Sequence, residues 1–366
     1  MTFAAAIDQA PAPRRVLVIL LGAIGDVVRA LPLIGRLRHA WPGAHIAWAV
    51  EPKSAPILER HQWLDELIIY DRSRAPVSFF GFLRQVRSGR FDLALDLQRH
   101  LKSGLASIVS GAPDRIGFAS ANTKEFNHRF ATRHIDPQPR MRLKLLQYQA
   151  FADALGLPET PIAFGLALSP EEQARAAALV ASTPRPRVAV ILGSSWPSRI
   201  YFPSMVAEVI AELARPADGE GFHPVLIAGP DESALAGEVM LHLGASAVTN
   251  LAGRTNLRDL IGILGECDAA FGPDSGPMHI AAAVGCPIVS LWGSTAPQRS
   301  APWGNAEWAI SAPIPCHPCY LRDCPIGREC MRRIEPAEVA RTVRLAVARR
   351  LASDALARQS LLLVSS

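Results

Sequence analysis

The sequence predicts an α/β protein built of two doubly wound halves, each a parallel sheet with helices on both faces. Three observations carry that prediction. Strand, loop and helix patterns alternate along the chain, and the series starts twice, at Arg15 and again at Arg187. The candidate strands are unbroken apolar runs, as strands buried on both faces require. Several loops after those strands pair glycine with polar or acidic residues, and such loops form the ligand rim of this kind of sheet. A length of 366 residues suits two cores better than one. With 49% hydrophobic and 19% charged residues, the composition is that of a folded globular chain.

The first half opens with the apolar run Arg15–Leu21, followed by the turn Gly22-Ala23-Ile24-Gly25. Val27, Val28, Leu31, Ile34 and Leu37 then recur at helical spacing. Further strands are predicted at His45–Val50, Glu66–Tyr70 and Asp92–Leu97. Proline-rich segments near residues 155–186 bracket a short helix starting at Ser169 and mark the seam. The second half supplies strands at Arg187–Leu192, Pro224–Ala228, Asp268–Phe271 and Pro287–Trp292. Helices are predicted between them, among them Met205–Leu213 and Leu257–Leu264, and a last one from Pro336 to about Leu351. The domains expected are therefore 1–165 and 166–352, with 353–366 a tail and residues 1–13 a second, loose one.

No apolar stretch near the N-terminus is long enough to span a bilayer, and no basic segment begins a signal peptide, so a cytoplasmic location is expected. Residues 1–160 hold 21 Lys and Arg against 14 Asp and Glu, whereas the remainder holds 17 against 19. Nine of the basic residues fall within 99–144 beside three acidic ones. That field suits an anionic partner, either a phosphorylated substrate, a lipid surface or nucleic acid. Only Phe118, Phe126 and Phe130 are interleaved there, which disfavours single-stranded nucleic acid; a solvated basic face is the plain alternative. Four of six cysteines form C-x2-C-x4-C-x5-C at Cys316, Cys319, Cys324 and Cys330. The spacing lacks the long gap between two zinc knuckles, so a structural loop is favoured over a metal site, with metal binding by these four left open.

The chemistry concentrates in three places. Gly272-Pro273-Asp274-Ser275-Gly276-Pro277-Met278-His279 follows a short apolar strand and precedes a helical pattern. A strand ending before Asp274 and a helix starting near Gly276 would aim free amides and the positive helix end at an anion. Asp274 and His279 would add side chains at the same spot, and a diphosphate-linked sugar fits such a place; a capped helix after a buried strand would leave the same trace. Asp26 stands where the first helix begins, as an exposed carboxylate or as an N-cap. The turn before it is neither G-x-G-x-x-G nor a Walker loop, so nucleotide hydrolysis and NAD binding are unsupported. Ser194, Ser195 and Arg199 lie in the loop after the Arg187 strand, two hydroxyls and a fork-shaped cation suited to a diphosphate.

Taken together, these segments resemble glycosyltransferase family 9, the heptosyltransferases, from about residue 14 to residue 345. The resemblance rests on Gly25-Asp26-Val27 with Leu31-Pro32, on Asp96-Leu97-Gln98, and on the Ser194–Pro203 loop. It rests also on Ala228-Gly229-Pro230-Asp231-Glu232, on Asn250-Leu251-Ala252-Gly253, on Gly272–His279 with Pro287–Gly293, and on the Cys316–Cys330 loop. The chain departs from the family after Ser195: lysine, two residues and proline are usual, and here three residues, Ile200, Tyr201 and Phe202, separate Arg199 from Pro203.

The resemblance implies a GT-B fold, with the acceptor held by the N-terminal domain and an ADP-sugar by the C-terminal one. It implies inverting transfer of a heptose from ADP-heptose to the lipopolysaccharide inner core, with Asp26 as general base and Arg199 offsetting the charge of departing ADP. Ser194, Ser195, Asp274, Ser275, Gly276, Pro277, Met278 and His279 would hold the donor, with Glu232 near its ribose. Arg99, Lys102, Arg115 and Lys124 are the candidates for a phosphorylated glycolipid acceptor at the inner membrane surface, where peripheral attachment stays open. No cofactor and no metal are required. Two other readings remain: a relative using a different nucleotide sugar or glycan acceptor, and a metal- or nucleic-acid-binding regulatory protein built on the cysteines and the basic stretch.

Overall fold

The computed structural model describes residues 12–215, 221–244 and 248–364, the side chains of 354–364 excepted. The chain divides into two units, one of residues 1–140 with 145–165, the other of 141–144 with 166–366. The first carries β1 (Arg15–Ile19), β2 (His45–Val50), β3 (Glu66–Ile69), β4 (Leu93–Asp96), β5 (Asp114–Gly117) and β6 (Arg133–His134). They form one sheet in the order β3-β2-β1-β4-β5-β6, parallel throughout. The second carries β7 (Arg187–Ile191), β8 (His223–Ile227), β9 (Thr249–Asn250), β10 (Ala269–Pro273), β11 (Ile288–Trp292) and β12 (Ala309–Ser311). Their order, β9-β8-β7-β10-β11-β12, is that of the first sheet advanced by six strands, again all parallel. These are two Rossmann-like, doubly wound sheets, the pair of folds that makes up a GT-B chain.

The apolar runs sit where burial rewards them. Val16, Leu17, Val18 and Ile19 of β1 are all 0% exposed, and each contributes roughly 1.5–3 kcal/mol by leaving water. In the second unit Val188, Val190, Phe271, Val289 and Leu291 pack under Val339 and Val343 of the last helix. Each sheet also locks its two middle strands at their amino ends with one aspartate. The Asp92 carboxylate accepts from the amides of Arg14 and Arg15 at 2.8 Å, and that of Asp268 from the Arg187 amide at 2.7 Å.

The helix Ile24–Ala40 buries Val27, Val28, Leu31, Ile34 and Leu37, as their spacing predicts. Its Arg36 reaches Asp153 at 2.7 Å and the Leu157 carbonyl at 2.7 Å, which holds segment 145–165 in the first unit. The helix Pro170–Val180 starts with a capping box. Ser169 Oγ accepts from the Glu172 amide, and the Glu172 carboxylate accepts in return from the Ser169 amide.

Some elements differ from expectation. The strands β5, β6, β9 and β12 were not anticipated, because they are short and lack a continuous apolar run. The last helix runs from Pro336 to Val364 instead of stopping near Leu351, since residues 352–364 contain no glycine or proline to end it. The loose N-terminal tail lies outside the described residues except for residues 12 and 13. Among the described residues no helix is long and apolar enough to cross a membrane.

Candidate active site

Each sheet reverses its direction of growth between its first and fourth strands, and the loops leaving those strands part there to open a crevice. In the first unit this is the gap between β1 and β4; in the second, between β7 and β10. Asp26 falls at the first of these places, and Ser194, Arg199 and Asp274 fall at the second.

In the first unit β1 runs into the Gly22 turn and the helix Ile24–Ala40. Ala23 takes the cap position without a side-chain bond. Asp26 is therefore the third helical residue and not an N-cap, so the capping reading of this carboxylate fails. Its Oδ1 accepts from Arg29 Nη1 at 2.6 Å, with the arginine side chain 9% exposed and the aspartate 24%. The turn is clasped from the neighbouring strand: Gln98 Oε1 accepts from the amides of Leu21 at 2.9 Å and Gly22 at 3.1 Å. Gln98 is itself placed by Asp96, which is 4% exposed. The Asp96 carboxylate accepts from the Gln98 amide, Ser103 Oγ and Asn127 Nδ2 at 3.0, 3.0 and 2.8 Å. Burial raises the Asp96 pKa, and these hydrogen bonds oppose the rise only in part.

The basic candidates separate. Lys102 is exposed, with Nζ 5.9 Å from the ring centre of Tyr70, the residue following β3. Arg99 lies just beyond β4, its guanidinium 3.8 Å from the centre of the Phe118 ring and bonded to Gln147. The Lys124 amide donates to the Arg99 carbonyl at 3.0 Å, which brings Lys124 to the same rim. Arg115 stands apart, inside β5, its guanidinium held by the carbonyls of Ala112 at 2.7 Å and Phe130 at 3.0 Å. A carboxylate that was not singled out joins the rim after β2: the Glu51 amide donates to the Leu21 carbonyl at 3.2 Å. Burial raises the Glu51 pKa against the opposing pull of Arg72 and Lys102.

In the second unit β10 ends at Pro273 and a helix spans Gly276–Ala283, the strand-to-helix turn that the sequence predicts. Asp274, 5% exposed, does not cap that helix. Its Oδ2 accepts from Thr295 Oγ1 at 2.8 Å and lies 3.3 Å from Arg199 Nη1. Ser194 Oγ donates to the Asp274 carbonyl at 2.8 Å, tying the loop after β7 to the loop after β10. Arg199 is also stacked 4.1 Å from the Trp196 ring centre. Ser275 occupies the cap position, yet its hydroxyl makes no capping bond and is buried without a hydrogen-bond partner. A buried hydroxyl and the first amides of a helix are donors awaiting an acceptor, and a phosphate oxygen answers that need.

Glu232 also reaches this rim. Its Oε2 accepts from the Gly229 amide at 3.1 Å, and its carboxylate fills the space a Cβ on Gly193 would need. Ser195 is exposed beside the buried Ser194, and Gly276 and Pro277 are half-exposed at the helix mouth. Met278 and His279, 1% and 3% exposed, lie further in. Thr295 was missed in the sequence; its position two residues after Gly293, in another loop at the carboxyl end of a strand, is the sign that could have revealed it.

The cysteine loop finds a role as a brace. Among the described residues no group of His, Cys, Asp or Glu is arranged to hold a metal ion. Cys316 is exposed and Cys330 buried. The loop grips the Arg199 segment. The Ser198 amide donates to the Arg322 carbonyl at 3.1 Å, and Ser198 Oγ to the Leu321 carbonyl at 2.6 Å. Arg328 Nη1 donates to the Ile200 carbonyl at 2.9 Å while its guanidinium covers the Phe202 ring.

Comparison with known proteins identifies the family and the fold. The profile of glycosyltransferase family 9 (heptosyltransferase) matches residues 79–329. The lipopolysaccharide core heptosyltransferase OpsX of Haemophilus influenzae is 27% identical over 303 residues, covering 82% of this chain and 85% of the relative. The solved structure of Escherichia coli ADP-heptose lps heptosyltransferase II superposes with a TM-score of 0.74 at 22% identity, over 92% of this chain and 99% of that one. E. coli heptosyltransferase WaaC with ADP gives 0.71 at 20% identity, over 91% and 99%, and the same enzyme has been solved with ADP-2-deoxy-2-fluoro heptose. With the profile spanning well over half its length and both sheets folded alike, the chain is a glycosyltransferase and belongs to family 9, the heptosyltransferases.

Proposed function

We propose that the enzyme moves a heptose from an ADP-heptose donor to an acceptor sugar of the lipopolysaccharide core, inverting the anomeric centre. The first unit, residues 1–165, takes the acceptor; the second, 166–352, takes the donor. The observation that carries this reading is the turn at Asp274. There a buried, unpartnered Ser275 hydroxyl, the first amides of a helix and the Arg199 guanidinium share one crevice, a set of donors matched to a diphosphate. The names of the relatives, and the ADP-bearing complexes of WaaC, support the choice of sugar and nucleotide.

In the step proposed, the Asp26 carboxylate takes the proton of the acceptor hydroxyl. The freed oxygen bonds to the anomeric carbon from the face opposite ADP. The bond from that carbon to the β-phosphate oxygen breaks, and its electron pair leaves with ADP. Arg199 and the amides of Ser275 and Gly276 offset the charge that develops there, so the leaving group needs no proton. Ser194, Ser195, Asp274 and His279 hold diphosphate and sugar, and Glu232 takes the ribose hydroxyls. Arg29 orients Asp26 through its 2.6 Å bond. Arg99, Lys102 and Lys124 meet the anionic acceptor, to which Arg115 contributes by bracing β5. The reaction takes place at the cytoplasmic face of the inner membrane, with the enzyme peripheral to it.

Calorimetry with ADP, UDP and GDP on wild type and Asp274→Ala tests the donor assignment. ADP alone should bind, and the variant should bind it about tenfold or more weakly. A preference for UDP would transfer the reading to another sugar, and no binding of any nucleotide would overturn it.

A further inference from the structure

Two neighbouring helices of the first unit, Val77–Ser88 and Leu101–Val109, pack side by side and turn apolar residues outward. On the first, Phe82 and Val86 are buried while Val77 is 79% and Phe80 70% exposed. The second is inverted. Its buried residues are Ser103, Gly104, Ala106 and Ser107, whereas Leu101, Leu105 and Ile108 are 43%, 37% and 46% exposed. Positions 101, 105 and 108 lie on one face of a helix. Three large aliphatic side chains are thus in water, and serines occupy the sites that would have sheltered them. Exposed apolar faces of this kind mark contact surfaces.

The charge around the patch identifies its partner. Residues 72–91 and 97–113 together contain seven basic residues and no acidic one. Arg72, Arg74, Arg84 and Lys102 are all exposed. Two acidic residues border the helices, Asp71, which accepts from the Ser73 amide, and Glu125, which accepts from the Leu101 amide; with seven basic residues against these two, the apolar strip suits anionic lipid headgroups over acyl chains. The patch is also well placed. Both helices begin at the carboxyl edge of the first sheet, where Asp26 stands, and Lys102 approaches Tyr70 at that same edge.

From this we infer that the outer face of helices Val77–Ser88 and Leu101–Val109 docks on an anionic bilayer, inserting Val77, Phe80, Leu101, Leu105 and Ile108. The inference rests on the glycolipid-acceptor reading, for it places the unit assigned to the acceptor on the surface in which such an acceptor is anchored.

The test is co-sedimentation of the full-length protein with vesicles of phosphatidylglycerol and phosphatidylcholine in equal parts, beside vesicles of phosphatidylcholine alone. Wild type should bind the anionic vesicles and release them in high salt. The double variant Phe80→Ser, Leu105→Ser should partition about tenfold less, as should Arg74→Gln, Arg84→Gln. Thermal midpoints and transfer to a deacylated, water-soluble acceptor should stay at wild-type values. Failure of wild type to bind anionic vesicles would overturn the proposal, as would binding that survives loss of Phe80 and Leu105. No donor or acceptor sugar enters the vesicle assay, so a wrong substrate assignment would leave its result standing and would register only in the transfer measurement.

Discussion

The carboxylate of Glu232 lies directly over the α-carbon of Gly193, in the volume that any larger residue would claim for its Cβ. Gly193 opens the loop after β7, and Glu232 comes from the loop after β8, held by the Gly229 amide. The contact fixes the spacing of two adjacent loops at the rim of the second sheet. Backbone conformation does not demand the glycine, since its φ is not positive; proximity does.

Gly193→Ala should therefore displace Glu232 while leaving the fold in place. The expected result is ADP affinity reduced about tenfold by calorimetry, with unchanged circular dichroism. Full retention of ADP affinity would show that Glu232 has no part in holding the nucleotide.

Asp26→Asn keeps the side-chain shape and removes the base. Transfer should fall about 10²–10⁴-fold in kcat, with ADP affinity as in wild type because the donor rim belongs to the other unit. Glu51→Gln is the matched control, since Glu51 is a second carboxylate on a loop bonded to that rim. If the Glu51 variant lost the chemistry and the Asp26 variant kept it, the roles assigned to the two would be reversed.

Asp96 gives a pH signature. Its folded pKa is raised, chiefly by burial, so its contribution to stability is present below the unfolded value and is lost as pH climbs through the folded one. An asparagine there does not titrate. The deficit in melting temperature of Asp96→Asn relative to wild type should be largest below the unfolded aspartate value of about 3.9 and shrink as pH rises through the raised folded value. A deficit that grows with pH would contradict the assignment.

The thiols should react in order of exposure. Burial pushes the Cys267 thiol up to about 12 and raises that of Cys286 well above its usual value, and both are buried. Iodoacetamide on the native protein should label Cys316 first and leave Cys267 and Cys286 untouched until denaturant is added, as peptide mass mapping would read. Early labelling of Cys286 would mean that the second sheet opens more readily than its packing implies.

Much of this was readable before any coordinates. The long apolar runs at Val16, Val188 and Ile288 announce buried parallel strands because nothing else rewards such continuity. The Asp274 turn announces itself because glycine, proline and an acid after a strand have few other uses together. The short strands β6 and β9 give no such sign. Arg133–His134 and Thr249–Asn250 are polar pairs that extend a sheet only because a neighbouring strand offers hydrogen bonds. Side-chain clasps are equally silent. The grip of Gln98 on the Leu21 and Gly22 amides spans 77 and 76 residues of chain, and periodicity carries no trace of it. Arg115 shows the limit from the other direction: a basic residue in a basic stretch whose donors are spent on Ala112 and Phe130.

The repeated strand order has a consequence for how such enzymes diversify. Gln98 and Gly22 are bonded at the rim of the first sheet, and Ser194, Asp274 and Thr295 at the rim of the second. Drift in one set of loops need not loosen the other. A lineage built this way can vary the rim of one sheet while keeping that of the other, by inheriting the two halves as separately editable modules.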